Sequence, residues 1–447
     1  MIIRATFKNI LSFYEETSIS FIASKSSSNE NQVLRAQKRD DFSILKSGII
    51  YGATASGKSN IIKAIGILKK IVLGSWPRNL IEPFKLQDDT SIPSKIELDF
   101  KYDQKYYNYG IIFNNIQGII EEWLYEINLR TKKKIFTREK NAPTPFSFGA
   151  LKLDSENQEF LKFLGQGTPD KKSFLFEYHD RNGKKVDAIS NAYLWFRDIL
   201  TIVFPDSKYQ GFSFKFDEDI LFKEEFKRYL EYFNTGIVDI SREKTKEENV
   251  DIPKEIIYSI IEVLNPGKKS FLSTPEGDWY IFECPSRGKV DIFKQKTIHE
   301  DKNRNKHTFD MREESDGSLK LLDFIPMLIN LEKGNSVFLI DEIDRSLHPQ
   351  LSYKILSTFF SNLSKAKDSQ LIASTHERNL LDLKFIRQDE IWFVEKSPDG
   401  ASHLTSLTEY KAREDIKKLY LIGKYGKIPS FVTPDKSNWY DDVILKI

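Results

Sequence analysis

The chain has 447 residues, of which 40% are hydrophobic and 30% charged, a composition typical of a globular protein and not of a disordered one. Lysine and arginine number 67 and aspartate and glutamate 65, so the net charge of +2 gives no overall field that would favour nucleic acid. The single cysteine, Cys284, excludes an intrachain disulfide framework and a cysteine-rich zinc site. With no secretory signal and no apolar run of membrane length, we expect a cytoplasmic protein that does not contact the membrane.

The N-terminal third is predicted to consist of strands around one helix. Residues 61–71 carry apolar side chains at helical spacing. Apolar and polar residues alternate in five segments, 1–7, 17–22, 95–101, 107–113 and 123–129. We therefore expect an antiparallel β lobe at this end of the chain.

A phosphate-binding loop is predicted between the strand at 47–51 and this helix. The pattern G-x-x-x-x-G-K-[ST] is satisfied by Gly52, Ala53, Thr54, Ala55, Ser56, Gly57, Lys58 and Ser59. The two glycines let successive backbone N–H groups converge on a phosphate, and the lysine adds a positive charge between the β- and γ-phosphates. The hydroxyl of Ser59 can ligate Mg²⁺, and the helix N-terminus favours the anion. We expect ATP and Mg²⁺ here, and we include Asn60 among the contacting residues.

The middle of the chain has a different pattern. Apolar residues recur at helical spacing in 160–164, 193–200 and 222–233, which predicts a helical insertion over 145–265. The absence of a sustained heptad favours compact helical packing over a coiled-coil arm. Strand-like alternation returns near residue 279, and a helix is predicted at 319–331.

A second group of polar residues follows a buried strand. The apolar run 337–340 ends in Asp341 and Glu342, which is typical of a Walker B element. Asp341 would hold Mg²⁺ through a water molecule, and Glu342 would orient and polarise the water that attacks the γ-phosphate. Surface carboxylates at a strand end are the alternative, which the phosphate-binding loop makes much weaker.

Two further elements flank this strand. His376 follows the apolar strand 371–375, where it can hydrogen-bond the γ-phosphate, although alone it could be a core histidine. Ser315, Gly317 and Ser318 open the helix before the Walker B strand, where they would offer hydroxyl and N–H groups to a phosphate or simply cap the helix.

The order of these elements along the chain resembles that of the motifs of ABC-type ATPases: Walker A at 52–59, signature at 315–318, Walker B at 341–342, D-loop at 346–349 and H-loop at 376. The branch that they resemble is that of the structural-maintenance (SMC) and RecF-like ATPases, because residues 7–13 are similar to its N-terminal F-x-N-F-x-S-F strand and residues 420–429 to its C-terminal Y-L-x-G-x-Y-G-x-x-P element. Members with these features are similar to ATPases of anti-phage operons, namely AriA of PARIS, PtuA of Septu and the RloB-linked ATPases. The signature departs from L-S-G-G-Q in having Asp316 in place of a glycine. Gln87 is a candidate Q-loop residue, but the sequence favours a solvated loop glutamine at this position.

The resemblance implies an α/β P-loop NTPase of the ABC ATPase-head type, with a mixed or parallel central sheet, the β lobe and a helical insertion. We expect three parts: residues 1–144 and 266–447 as the two halves of the head, and 145–265 as an insertion that contacts a trigger or partner. It also implies a head-to-tail homodimer or larger oligomer. Two ATP molecules would be sandwiched between Lys58 and Ser59 of one protomer and Ser315 and Gly317 of the other, with Glu342 and His376 as catalytic residues.

Two functions remain open on the sequence. One is a slow ATPase that acts as sensor and regulatory scaffold of an anti-phage, toxin–antitoxin-like system, triggered by DNA or a phage protein. Because the stretch after His376 is too short for a TOPRIM nuclease domain, the toxic effector would be a separate nuclease, TOPRIM-like or RloB-type protein. The alternative is a DNA repair ATPase that clamps duplex DNA, using basic residues at 130–136 and 184–185 that are otherwise an ordinary solvated face. A P-loop kinase is disfavoured by the signature and the H-loop.

Overall fold

The computed structural model describes residues 1–26, 28–87, 91–149, 153–181, 186–205, 219–362, 367–377, 381 and 385–410. The C-terminal element at 420–429 and the lysines at 184–185 therefore lie outside the described residues. Contacts divide the chain into two compact units. The first contains Met1–Ile202 and the described residues from Ile372 onward, and the second contains Val203–Leu371. In the described ranges, no helix has both the length and the apolar character needed to cross a membrane.

The strands, in chain order, are β1 (Ile2–Lys8), β2 (Thr17–Ser20), β3 (Val33–Leu34), β4 (Ile44–Leu45), β5 (Ser47–Gly52), β6 (Ser94–Tyr102), β7 (Lys105–Asn114), β8 (Gly118–Ile127), β9 (Lys132–Glu139), β10 (Phe146–Phe148), β11 (Leu200–Val203), β12 (Ile237–Thr245), β13 (Lys269–Ser273), β14 (Trp279–Ser286), β15 (Lys289–Glu300), β16 (Lys306–Asp310), β17 (Val337–Ile340), β18 (Gln370–Ser374), β19 (Ile391–Lys396) and β20 (Ser402–Ser406). The helices are α1 (Lys58–Val72), α2 (Ser155–Gly167), α3 (Phe174–Asp180), α4 (Asp187–Leu194), α5 (Ile220–Tyr232), α6 (Lys254–Val263), α7 (Asp316–Lys333) and α8 (Pro349–Asn362).

An antiparallel sheet dominates the N-terminal part of the first unit. Its seven strands have the order β10-β9-β8-β7-β6-β1-β2. Along β6, buried and half-buried side chains alternate, as they do in a strand with one face on a core. All five segments predicted as strands lie in this sheet, so the predicted β lobe is confirmed. The sequence interpretation missed β9, because its three lysines had been assigned to a basic surface stretch.

Aromatic side chains join this sheet to the helices that follow it in the chain. Trp195, in a π-helical turn after α4, is fully buried and stacks on Phe100 of β6 with 4.4 Å between ring centroids. Phe174 of α3 contacts Phe136 of β9 with a centroid separation of 4.9 Å. Because aromatic rings bury a large apolar area, these contacts make α3 and α4 part of the core of the first unit.

A parallel strand pair carries the phosphate-binding loop. All six residues of β5 are buried, and β5 pairs in parallel with β19, with Ile49 opposite Ile391 and Gly52 opposite Val394. On its other side β19 pairs antiparallel with β20. The combination of parallel and antiparallel pairs confirms the predicted mixed α/β class.

The second unit contains a separate antiparallel sheet, in the order β12-β15-β14-β13, with β16 paired to β15. Helix α6 packs on this sheet, where Ile257 is fully buried in a cluster with Tyr280 and Phe282. The segment 145–265 thus contains β10, β11 and β12 besides its helices, and the helical spacing did not predict these strands. Its role as a separate domain, and the predicted division into three parts, stay predictions.

Candidate functional site

A tight loop joins β5 to α1. Gly57, the N-cap residue of α1, has φ 110°, and Ala55 has φ 63°. Left-handed residues in such a loop turn successive backbone N–H groups toward one side, which forms a concave site for anions. The helix dipole of α1 adds a partial positive charge at the same point.

Glycine is required at both ends of the loop by close backbone and side-chain contacts. At Gly52, a Cβ atom would lie 2.5 Å from the carbonyl oxygen of Val394. At Gly57, it would lie 2.2 Å from Ser402 Oγ and 2.7 Å from Ser12 Oγ. These distances are far below van der Waals contact, so a larger residue would displace the loop.

The loop curls around the amine of Lys58. This side chain is 4% exposed, and its Nζ donates to the carbonyl oxygens of Gly52 at 2.7 Å and Ala53 at 2.9 Å. His376, which follows β18, has its Nδ1 atom 3.5 Å from the same Nζ. The structure therefore brings together the lysine and the histidine that the sequence pattern placed at one site.

The remaining loop residues differ in exposure. Thr54 and Ala55 at the apex are exposed, whereas Ser59 is half-buried in the first turn of α1. Asn60 is turned away from the apex, because its Nδ2 donates to Ser12 Oγ at 2.8 Å. The N-terminal segment 7–13 thus lies directly against the start of α1.

Asn9, in the same segment, forms hydrogen bonds with residues that lie between α1 and β6. Its backbone is left-handed, with φ 46°, and its Oδ1 accepts from the backbone N–H of Phe84 at 3.1 Å and from Gln87 Nε2 at 2.7 Å. The Nδ2 group of Asn9 donates to Ile92 O at 2.6 Å. Gln87 is therefore half-buried and anchored, unlike a solvated loop glutamine.

The two carboxylates predicted to form a Walker B element lie in the second unit, after β17. Asp341 is buried, and its backbone N–H donates to Val203 O at 2.9 Å. Glu342 is half-buried, with φ 50°, and its carboxylate lies 3.7 Å from the guanidinium of Arg345. A left-handed backbone costs a glutamate about 1–2 kcal/mol, and such strain is commonly found at functional positions.

The residues predicted as the signature form the start of α7 in the same unit. Ser315 is the N-cap residue, and its Oγ accepts from the backbone N–H of Ser318 at 3.1 Å. Gly317 lies against the D-loop, where an added Cβ would be 3.4 Å from Ser346 O. Ser315 and Asp316 are exposed, and Gly317 and Ser318 are half-buried.

The side chain of Glu314 anchors the start of this helix. Its side chain is 8% exposed, and its Oε1 accepts from Thr297 Oγ1 at 2.5 Å and lies 2.6 Å from His299 Nε2. Both partners belong to β15. The start of α7 is thus attached to the five-stranded sheet of the second unit.

Nucleotide and Mg²⁺ fit the donor set in each unit considered alone. In the first unit, a glycine-lined cradle surrounds a buried lysine and ends at the hydroxyl of Ser59, which matches phosphate oxygens and a hard cation. In the second unit, Asp341 supplies the carboxylate that Mg²⁺ prefers. Sequence reasoning missed Asn9, Ser12 and Ser402 as supports of the loop. The first two had a signal in the pattern at 7–13, whereas Ser402 had none.

The family model described as "AAA domain, putative AbiEii toxin, Type IV TA system" matches residues 49–382, well over half of the chain. Among solved structures, the SMC head domain from Thermotoga maritima is 14% identical over 91% of this chain and 98% of that chain, with a TM-score of 0.38. The SMC head bound to the C-terminal winged-helix domain of ScpA is 13% identical over 91% and 97%, with a TM-score of 0.40.

At these TM-scores, the solved structures carry no inference about function. No curated protein matches the chain. The family model, by contrast, spans the glycine-rich loop, the signature, both carboxylates and His376. The chain belongs to this AAA family.

Proposed function

We propose that this protein binds and hydrolyses ATP and acts as the sensor and regulatory scaffold of an anti-phage, toxin–antitoxin-like system. The observation that carries nucleotide binding is the curled loop around Lys58, with His376 3.5 Å from its amine. The description of the family, which includes a type IV toxin–antitoxin system, supports the defence role. The chain would switch a separately encoded effector through ATP-dependent assembly.

In this mechanism the phosphates of ATP enter the loop, and Lys58 Nζ exchanges the carbonyls of Gly52 and Ala53 for phosphate oxygens. Mg²⁺, held by Ser59 and Asp341, would neutralise the charge of the phosphates. Glu342 orients a water molecule and accepts its proton as the oxygen bonds to the γ-phosphorus and the bond to ADP breaks. His376 donates a hydrogen bond to the γ-phosphate.

The exposed signature of α7 would serve the nucleotide of a second protomer. Ser315 and Gly317 present a hydroxyl and N–H groups at a helix N-terminus, which suits the γ-phosphate of another chain. Each ATP would then join two protomers in a head-to-tail dimer or larger assembly. Hydrolysis would release the contact, so the assembly reports the presence of ATP.

Glu342→Gln separates binding from hydrolysis. This variant keeps the side-chain shape but cannot accept a proton, so we expect it to retain ATP and accumulate as an oligomer. Nucleotide retention by filter binding and mass by light scattering, with and without ATP and Mg²⁺, check this. Lys58→Ala is the control and should neither retain ATP nor assemble. An E342Q protein that stays monomeric and releases ATP as fast as the wild type would contradict the proposal.

The alternative function, a clamp on duplex DNA, is tested by the salt dependence of DNA binding. In the basic stretch at 130–136, Asp40 offsets the charge of Arg130 at 3.0 Å, and the amine of Lys132 is already engaged, 4.3 Å from the ring centroid of Tyr125. A clamp requires tight binding that needs ATP and falls steeply with salt. Protection from phage that requires the neighbouring gene and intact Lys58, without such DNA binding, would favour the defence role.

The trigger or effector contact is proposed for residues 145–265, on the position of this segment in the chain. Deleting the whole segment is not a clean test, because Trp195 and Phe196 within it are fully buried. Substitutions at exposed side chains such as Phe163 and Val263 leave this core intact. Loss of effector co-purification with unchanged ATPase activity would support the contact.

A further inference from the structure

A continuous series of hydrogen bonds runs behind the phosphate-binding loop, on segments far apart in the sequence. Asn60 Nδ2 donates to Ser12 Oγ at 2.8 Å, the hydroxyls of Ser12 and Ser402 lie 2.8 Å apart, and Ser402 Oγ donates to Ser56 O at 2.6 Å. The backbone N–H of Ser402 also donates to Ser12 O at 2.7 Å. Ser12 and Ser402 are 8% and 1% exposed, so water does not compete for these bonds.

The hydroxyl of Ser402 has one proton and two acceptors within reach, Ser56 O at 2.6 Å and Ser12 Oγ at 2.8 Å. The carbonyl oxygen of Ser56 can only accept, and its contact is the shorter of the two. Ser12 Oγ accepts from Ser402 and from the amide of Asn60, and Ser12 O accepts from the backbone N–H of Ser402. Ser12 therefore fixes the position of the Ser402 hydroxyl beside the Ser56 carbonyl.

The last acceptor sets the direction of a loop N–H group. The carbonyl of Ser56 and the N–H of Gly57 belong to one planar trans peptide, in which the two groups point in opposite directions. Ser402 holds the carbonyl on the side away from the phosphate site. The N–H of Gly57 therefore points toward the side where the loop gathers its donors. Glycine at 57 leaves room for this arrangement, since a Cβ atom would lie 2.2 Å from Ser402 Oγ.

We propose that Ser12 and Ser402 are positioning residues of the phosphate-binding loop, which keep the Ser56–Gly57 peptide turned so that its N–H meets a phosphate. The inference rests on the proposed nucleotide-binding function. Neither residue touches the nucleotide. Through the orientation of this peptide, the strand pair β19–β20 and the N-terminal segment act on the site.

The test compares Ser402→Ala and Ser12→Ala with Ser406→Ala, a buried serine at the other end of β20 whose Oγ accepts from the backbone N–H of Thr408. We expect the affinities for ATP and ADP, measured by calorimetry with Mg²⁺ present, to fall roughly tenfold in S402A and in S12A. S402A leaves the buried carbonyl of Ser56 without its donor, and S12A removes the hydroxyl that fixes this donor. The S406A protein should bind like the wild type. KM for ATP should rise by a similar factor with kcat little changed, because Glu342 is untouched.

The double variant S12A/S402A distinguishes a shared chain from two separate contacts. Because both serines act on one carbonyl, we expect the double variant to bind ATP no more than about twofold more weakly than S402A. Independent effects would instead multiply, so that the double variant would bind roughly a hundredfold more weakly than the wild type. Thermal melting verifies that each variant is folded, and S12A alone suffices if S402A is not. Affinities of S402A and S12A equal to that of S406A would overturn the inference while Lys58→Ala still abolished binding. Wild-type protein that does not bind ATP would instead remove the proposed function itself.

Discussion

Asp316 places a negative charge where the proposed assembly brings a phosphate. The residue is exposed in the first turn of α7, next to the N-cap Ser315. A carboxylate at a helix N-terminus is favourable in the isolated protomer, typically by about 0.3–1 kcal/mol. In a closed dimer, however, it would face the γ-phosphate of the other chain, and two like charges oppose closure.

We therefore expect Asp316→Asn to increase ATP-dependent assembly several-fold at low salt, with a smaller gain at high salt, where screening weakens the repulsion. The dimer fraction against protein concentration, measured by light scattering at two salt concentrations, checks this. Glu255→Gln removes an exposed acidic residue from the first turn of α6 and should leave assembly unchanged. Equal or weaker assembly of D316N would mean that the carboxylate does not oppose closure.

At the scale of elements, the turn that leads into β19 carries a buried carboxyl. Glu390 is fully buried, and burial raises its pKa to about 8, although the backbone N–H of Arg387, which donates to Glu390 Oε2 at 2.8 Å, acts in the opposite direction. In the unfolded chain this carboxyl loses its proton near its ordinary pKa of 4.5. Between these values the folded form holds the proton and the unfolded form does not, so stability falls as pH rises through this window and levels off above it.

Glu390→Gln mimics the protonated side chain and should remove this dependence. We expect the melting temperature of the variant to match that of the wild type near pH 5 and to exceed it increasingly up to about pH 9. The corresponding difference in the free energy of unfolding at pH 9 is on the order of 2–4 kcal/mol. Calorimetric melts across this range measure it. Glu395→Gln, at a half-buried position on β19, should follow the wild-type curve. Parallel curves for E390Q and wild type would show that the carboxyl is ionised in the fold.

At the scale of the whole molecule, the proposal that signature and loop serve each other between chains predicts complementation. Lys58→Ala and Ser315→Arg should each be inactive alone. In a mixed dimer, however, one site combines the intact lysine of one protomer with the intact serine of the other. Random pairing of equal amounts makes half of the dimers mixed, each with one working site, so ATPase activity should return to about a quarter of the wild-type value.

A mixture of Lys58→Ala with Lys58→Ala/Ser315→Arg is the matched control, because no pairing restores a lysine. Phosphate release at fixed total protein measures both mixtures. Activity in the first mixture no greater than the sum of its inactive parts would place both residues in the same protomer's site, or exclude pairing altogether.

The sequence predicted the parts of this molecule that depend on local pattern. The glycine-rich loop, the alternating strands of the β lobe and the buried β17 follow from spacing alone. Strand β12 was missed because it adjoins the strongly helical segment that became α5. Ser402 could not be found, because its partner in the loop lies 346 positions earlier and a serine on a strand has no pattern of its own.

The left-handed backbone at Glu342 has a consequence for how variation at this position is judged. Glycine would adopt the same conformation without strain, so selection for folding alone would favour glycine at 342. Selection for ATP turnover would instead retain the strained glutamate. In a library that varies position 342, enrichment of glycine would therefore indicate selection for folding, and enrichment of glutamate would indicate selection for ATP turnover.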